Sequence, residues 1–162
     1  LSAQVSIVSA VRALISPSTE RSGMSFRVLV PVDDSEMAVG ALRYALETFD
    51  DAEVTVLHVG GGPSPMMGAA TDLALADDVQ EAAERRASEV FDRARAVAAE
   101  YDADVDTETR VGHPARVIVA AAADYDTVVI GSHSGSLSDR LFIGNVAEKV
   151  VRGSPVPVTV VR

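Results

Sequence analysis

The sequence predicts a doubly wound α/β domain with a mainly parallel sheet. Three observations predict it: short β-branched apolar runs recur along the chain, segments of helical periodicity lie between them, and turns rich in Gly, Pro, Ser or Asp mark each change. Strands that alternate with helices are joined by right-handed crossovers, which make neighbouring strands parallel and cover the sheet on both faces. The 162 residues suit one domain, and an apolar content of 48% supplies a core without covalent staples.

Residues 1–23 stand apart from this alternation. Val5, Val8, Val11 and Ile15 fall at helical spacing, and Pro17, Ser18 and Thr19 then end the pattern. No basic region leads the segment, Arg12 interrupts its apolar part, and no small-residue cleavage site follows, so it does not read as a signal peptide. The expected organisation is an N-terminal extension over 1–23, outside the fold, and one domain over 24–162 with Met24 as its natural start.

From Phe26 the elements follow in order. Phe26 to Val32 is a strand, ended by Asp33, Asp34 and Ser35. Ser35 is a good N-cap for a helix over 36–49, where Val39, Leu42, Leu46 and Phe49 keep helical spacing and Glu36 suits the first turn. Glu53 to Val59 reads as a strand buried on both faces. Residues 60–71 form a loop on Gly and Pro content. A long helix follows over 72–100, with Leu75, Val79, Ala82, Ala83, Val90, Ala94 and Val97 near one face. Val105 to Val111 alternates apolar and polar residues, as a strand near a sheet edge does. Gly112, His113 and Pro114 turn into a helix over 114–124, with proline in the first turn, where its missing N–H costs least. Asp126 to Gly131 is a buried strand. A Gly/Ser-rich loop, a helix at about 145–152 and a last strand from Val156 to Val161 complete the chain. Ligands of such sheets sit beyond the carboxyl ends of the strands, where strand order reverses.

Composition narrows function further. The absence of cysteine excludes a disulfide framework, a thiolate zinc site and thiol catalysis, and three scattered histidines argue against a metal cluster. The net charge of -10 argues against a nucleic-acid surface, and no apolar run reaches membrane-spanning length. A cytoplasmic protein with no nucleic-acid or membrane partner is expected. Lys149 is the only lysine beside thirteen arginines, and fourteen of the 24 acids are aspartate. Two explanations stay open: adaptation to a halophilic, high-salt cytoplasm, and codon bias from a GC-rich genome.

The stretch from Gly131 to Val151 (GSHSGSLSDRLFIGNVAEKVV) runs from a strand end through a Gly/Ser loop into a helix N-terminus. Backbone N–H groups and the positive helix end make such a stretch a candidate anion site. The structural alternative is that Gly131 and Gly144 only make tight turns, with Asn145 capping the helix and Glu148 completing a capping box. Neither a Walker A loop nor a dinucleotide fingerprint is present. His58 lies in a buried strand and reads as a satisfied core residue. Ser132, His133, Ser134, Asp139 and Arg140 share one loop, but no nucleophile elbow or base–orienter pair supports catalysis. No catalytic residue, no metal ligand and no dedicated enzyme activity are expected.

The combination of VLVPVDDSE, TVLHV, VGHPARVIV and VVIGSHSGSLSDRLFIGNVAEKVVRGSPVPVTVVR, in that order over 26–162, resembles the universal stress protein family. The resemblance implies a Rossmann-like sheet ordered 3-2-1-4-5 and a stress-response homodimer, formed in many members by the last strand, here near 156–161. It also implies a candidate ATP pocket, with magnesium as the bridging cation. By that resemblance Pro31, Val32, Asp33 and Val59 meet the adenine and ribose, and Gly131, Ser134, Gly144, Asn145 and Val146 belong to the phosphate loop. The family pattern has glycine where Ser134 stands and Ser or Thr where Asn145 stands. These departures keep open an alternative of the same fold, without nucleotide, acting as a protein interaction module.

Overall fold

The computed structural model describes residues 25–60, 72–132 and 144–162; side chains of 72–80, 82 and 83 are outside the description. Strands β1 (Arg27–Val32), β2 (Glu53–Gly60), β3 (Asp106–Val111), β4 (Thr127–Gly131) and β5 (Val158–Val161) form one sheet in the order β3-β2-β1-β4-β5. Every pairing is parallel. Helices α1 (Glu36–Thr48), α2 (Asp72–Ala99), α3 (Pro114–Ala122) and α4 (Asn145–Gly153) connect and cover it. The doubly wound class and the implied strand order both hold. Element ends differ from the expected bounds by one or two residues. β5 opens at Val158 because Pro157 has no N–H and enters the ladder only through its carbonyl, which accepts from the Val128 N–H at 3.0 Å. The extension over 1–23 lies outside the described residues, as does the loop expected at 60–71 except for Gly60.

Strand side chains alternate between two cores. Val28, Val30, Val32, Val54, Val56 and Val129 pack under α1 and α2, with Leu42, Leu46, Val90, Phe91 and Val97. Leu29, Leu57, Val128 and Ile130 pack under α3 and α4, with Ile118, Ala147 and Val150. The α1 face is built largely from Ala38, Ala41 and Ala45, whose small side chains let the helix lie close to the sheet. Val39 and Phe49, expected on this face, are only partly buried. Of the expected α2 face, Val90, Ala94 and Val97 are buried; Leu75, Val79, Ala82 and Ala83 fall outside the described side chains. β3 is an edge strand with charged, partly exposed residues, as its alternation predicts.

Helix ends are locally encoded. Ser35 caps α1, its Oγ accepting the Ala38 N–H at 3.2 Å, with Glu36 in the first turn. α2 closes through Asp102 in the left-handed region (φ 51°), with the Ala103 N–H donating to the Ala98 carbonyl at 3.1 Å. Pro114 opens α3 after Gly112, whose φ of 144° and 3.0 Å approach to Val117 Cγ2 require glycine.

Candidate functional site

The strand order reverses between β1 and β4, and their ladder is short there. Their register covers only Val28↔Thr127 and Leu29↔Val128, whereas β1 pairs with β2 through to Val32↔His58. The cause is readable in the backbone. The Phe26 carbonyl accepts the Glu53 N–H on the β2 side, and the Arg27 carbonyl accepts the Asp126 N–H on the β4 side, both at 2.9 Å. Backbone groups alternate along a strand, so Leu29 and Pro31 face β4. Pro31 has no N–H to give, and the ladder stops before it. The carboxyl end of the sheet beside this interrupted ladder is the position where doubly wound folds take ligands.

Of the residues expected there, Pro31 and Val32 are buried on the β1 side, Val59 is half-buried near the end of β2, and Gly131 ends β4. Asp33 follows β1, and its Oδ1 accepts the Ser35 N–H at 3.0 Å and also the Ser35 hydroxyl. Asp33 thus has a local task in holding the cap of α1. Gly131 does not make a positive-φ turn among the described residues. It is glycine because a Cβ there would lie 2.8 Å from the backbone C and O of Met37, in the first turn of α1. The tight-turn expectation for Gly131 gives way to close helix–strand approach.

Gly144 and Asn145 also correct the expected cap. Gly144 is the N-cap of α4, with φ -61° and ψ 152°, and among the described residues no side chain caps that end. Asn145 is the first helical residue, so its side chain is one position too late for the cap. Glu148 consequently misses the capping-box position; it pairs instead with Arg152 at 2.9 Å, one turn on. Val146 is half-buried against the α3–α4 core. Ser134, with His133, Asp139 and Arg140, lies outside the described residues. The two ends of that loop are nevertheless fixed: the Gly144 N–H donates to the Ser132 carbonyl at 2.6 Å, and the Ser132 N–H to the Val161 carbonyl at 2.7 Å. Ser132, 2% exposed, joins the loop base, the start of α4 and the end of β5.

On the outer side of the β1–α1 turn, Arg93 of α2 donates to the Asp34 carbonyl at 3.1 Å and pairs with Glu36. A concavity of about 280 Å³ lies here, lined by Asp34, Arg86, Glu89, Val90 and Arg93. Its two arginines are balanced by two acids, so it does not concentrate charge of either sign. Among the described residues no group of three or more His, Asp or Glu could hold a metal, and no helix is long and apolar enough to cross a membrane.

The sequence model of the Universal stress protein family matches residues 24–162. The chain belongs to the universal stress protein family. Universal stress protein MJ0531 of Methanocaldococcus jannaschii is 27% identical over 98% of this chain and 96% of its own length. Among solved universal stress proteins, UspA from Lactobacillus plantarum superposes with a TM-score of 0.71 at 24% identity, covering 86% of this chain and 99% of that one. A relative from Archaeoglobus fulgidus was solved with dAMP (TM-score 0.56, 22% identity, 86% and 98% covered) and one from Arabidopsis thaliana with AMP (0.59, 17%, 84% and 90%). Another universal stress protein was solved with cAMP (0.60, 23%, 86% and 99%). The order β3-β2-β1-β4-β5 is thus that of a universal stress protein domain, and the sequence signal for the short β1–β4 ladder was Pro31, whose meaning depends on which neighbour its missing N–H faces.

Proposed function

We propose that the crevice between β1 and β4 holds an adenine nucleotide, ATP with magnesium or AMP, in a stress-response homodimer without dedicated catalysis. The observation that carries this reading is the early end of the β1–β4 ladder at the reversal of strand order, with Asp33 following β1 and Gly131 ending β4. Adenine nucleotides in the structures of relatives support the ligand class. In this reading Pro31, Val32 and Val59 flank the base. Both Asp33 bonds to Ser35 fall on Oδ1, so the ribose contact belongs to Oδ2. Phosphates sit at the start of α4, where the N–H groups of Asn145 and Val146 and the helix dipole favour an anion. Magnesium bridges the phosphates and offsets the repulsion of a chain with charge -10.

Denaturing the purified protein and identifying released nucleotide by mass spectrometry tests the reading, with AMP and Mg-ATP titrations beside it. Asp33→Asn keeps an acceptor for Ser35 and removes the charge. It is expected to leave stability nearly unchanged and to weaken binding about tenfold, equivalent to about 1.4 kcal/mol. No released nucleotide and no saturable binding would favour the interaction-module reading, which the local use of Asp33 and the non-capping Asn145 support.

The homodimer is assigned to β5. The β3 edge carries Asp106, Glu108 and Arg110, charges that discourage strand addition, whereas the β5 edge is VTVV. Carbonyls of Pro157 and Val161 face β4, so alternation turns the N–H and C=O of Val158 and Val160 outward. Val160→Pro removes an outward donor without breaking the β4 ladder. Light scattering should give a dimer for the natural sequence and a monomer for this variant; a monomer in both cases would remove the β5 assignment.

A further inference from the structure

β2 places a histidine in an otherwise apolar, buried run, EVTVLHVG, and His58 is 8% exposed. A leucine would fill that space at no polar cost, whereas an imidazole in a core must find a partner. His58 has one: its Nδ1 lies 3.2 Å from the carbonyl oxygen of Val32, and its ring meets Phe91 of α2 edge-on at 6.3 Å. A carbonyl only accepts, so Nδ1 carries the hydrogen. Val32 is the last residue of β1, and its carbonyl belongs to the peptide that leads into Asp33. The ring therefore adds a side-chain bond to the β2 ladder at the end of β1, one residue beyond the proline that ends pairing with β4.

We propose that His58 is a positioning residue for the candidate nucleotide site. Held between Phe91 and the Val32 carbonyl, it sets the direction in which the chain leaves β1, and hence where Asp33 and the Ser35 turn stand on the crevice wall. His58 works beside Arg93 of α2, which reaches the same turn from its exposed side through the Asp34 carbonyl. The ligand-binding consequence rests on the adenine-nucleotide reading above; the consequence for the turn does not.

Three substitutions separate positioning from core filling. The amide nitrogen of Asn can occupy the place of Nδ1, whereas that of Gln matches Nε2. His58→Asn thus keeps the donor to Val32, and His58→Gln and His58→Leu lose it. Amide hydrogen exchange at Asp33, Asp34 and Ser35 in the ligand-free protein is the first readout, and AMP affinity by calorimetry the second. Loss of one buried hydrogen bond should speed exchange in the turn and weaken AMP binding by about three- to tenfold in the Gln and Leu variants, with most of both effects reversed in Asn. Should the Leu variant fail to fold, the contrast between Asn and Gln decides. Equal exchange in all variants, or Asn behaving like Gln and Leu, would overturn the proposal. If the natural sequence binds no AMP, the nucleotide reading falls and the exchange pattern still decides the positioning role.

Discussion

Gly131 shows how much a single position can conceal. It is visible in the sequence as a glycine in a Gly/Ser-rich stretch, where a turn or a phosphate contact is the natural reading. The structure gives it a steric reason, the 2.8 Å approach of Met37 backbone atoms to the place of a Cβ. No local pattern could reveal this, because Met37 is remote in sequence. Gly131→Ala should push α1 away from the sheet and lower stability by about 1–3 kcal/mol, the usual range for overpacking. A urea titration checks it; an unchanged midpoint would mean that α1 moves aside freely. Asp33 is the converse case. Its place after β1 and its use beside a helix cap are both legible in DDSE, since an acid two residues before a backbone N–H commonly bends back to it.

At the level of elements, β-branched apolar runs marked β1, β2, β4 and β5, and alternation of apolar and polar residues marked β3 as an edge strand. The α1 face was harder to read, since Ala38, Ala41 and Ala45 carry weak apolar signals yet form most of its contact with the sheet. The cap of α4 was misplaced by one residue, because a cap is defined by backbone angles and Asn145 is chemically suited to either position. α3 offers a clean test of capping. His113 is its N-cap and makes no side-chain cap bond, so His113→Ser should stabilise the domain by about 0.5–1 kcal/mol in thermal unfolding. Beyond the caps, α1 and the end of α2 are clamped by Arg43 with Glu100 and by Tyr101 donating to Glu47 at 2.7 Å. The Arg43 hydrogen bond holds the Glu100 carboxyl below its ordinary range, against a smaller opposing effect of desolvation. A depressed carboxylate pKa gives stability that is present above the unfolded value and lost as pH falls through the folded one. Arg43→Met should therefore return Glu100 to ordinary titration, seen by carboxyl NMR, and remove its share of the acid dependence. An unmoved Glu100 titration would show that the pair does not form in solution.

For the whole molecule, the net charge of -10 predicts self-repulsion that salt relieves. The urea midpoint should rise between about 0.1 and 1 M KCl, as the Debye length falls from about 10 to about 3 Å. A flat response would leave codon bias as the account of the arginine-rich, aspartate-rich composition. The doubly wound class was legible because alternation of strands and helices needs no tertiary knowledge. Strand order came from motif resemblance, and the crevice required that order before Pro31 could be understood. That proline also has a mechanical meaning. It makes one half of the sheet's central seam a stitch of few threads: backbone pairing joins β1 to β4 only at Val28 and Leu29. Beyond that point the two halves are joined by packing, with Val30 and Val129 both buried under α1, rather than by a full backbone ladder. Pro31→Val would return a backbone donor toward β4 and should raise the urea midpoint, a gain in stability of the kind that function commonly forgoes.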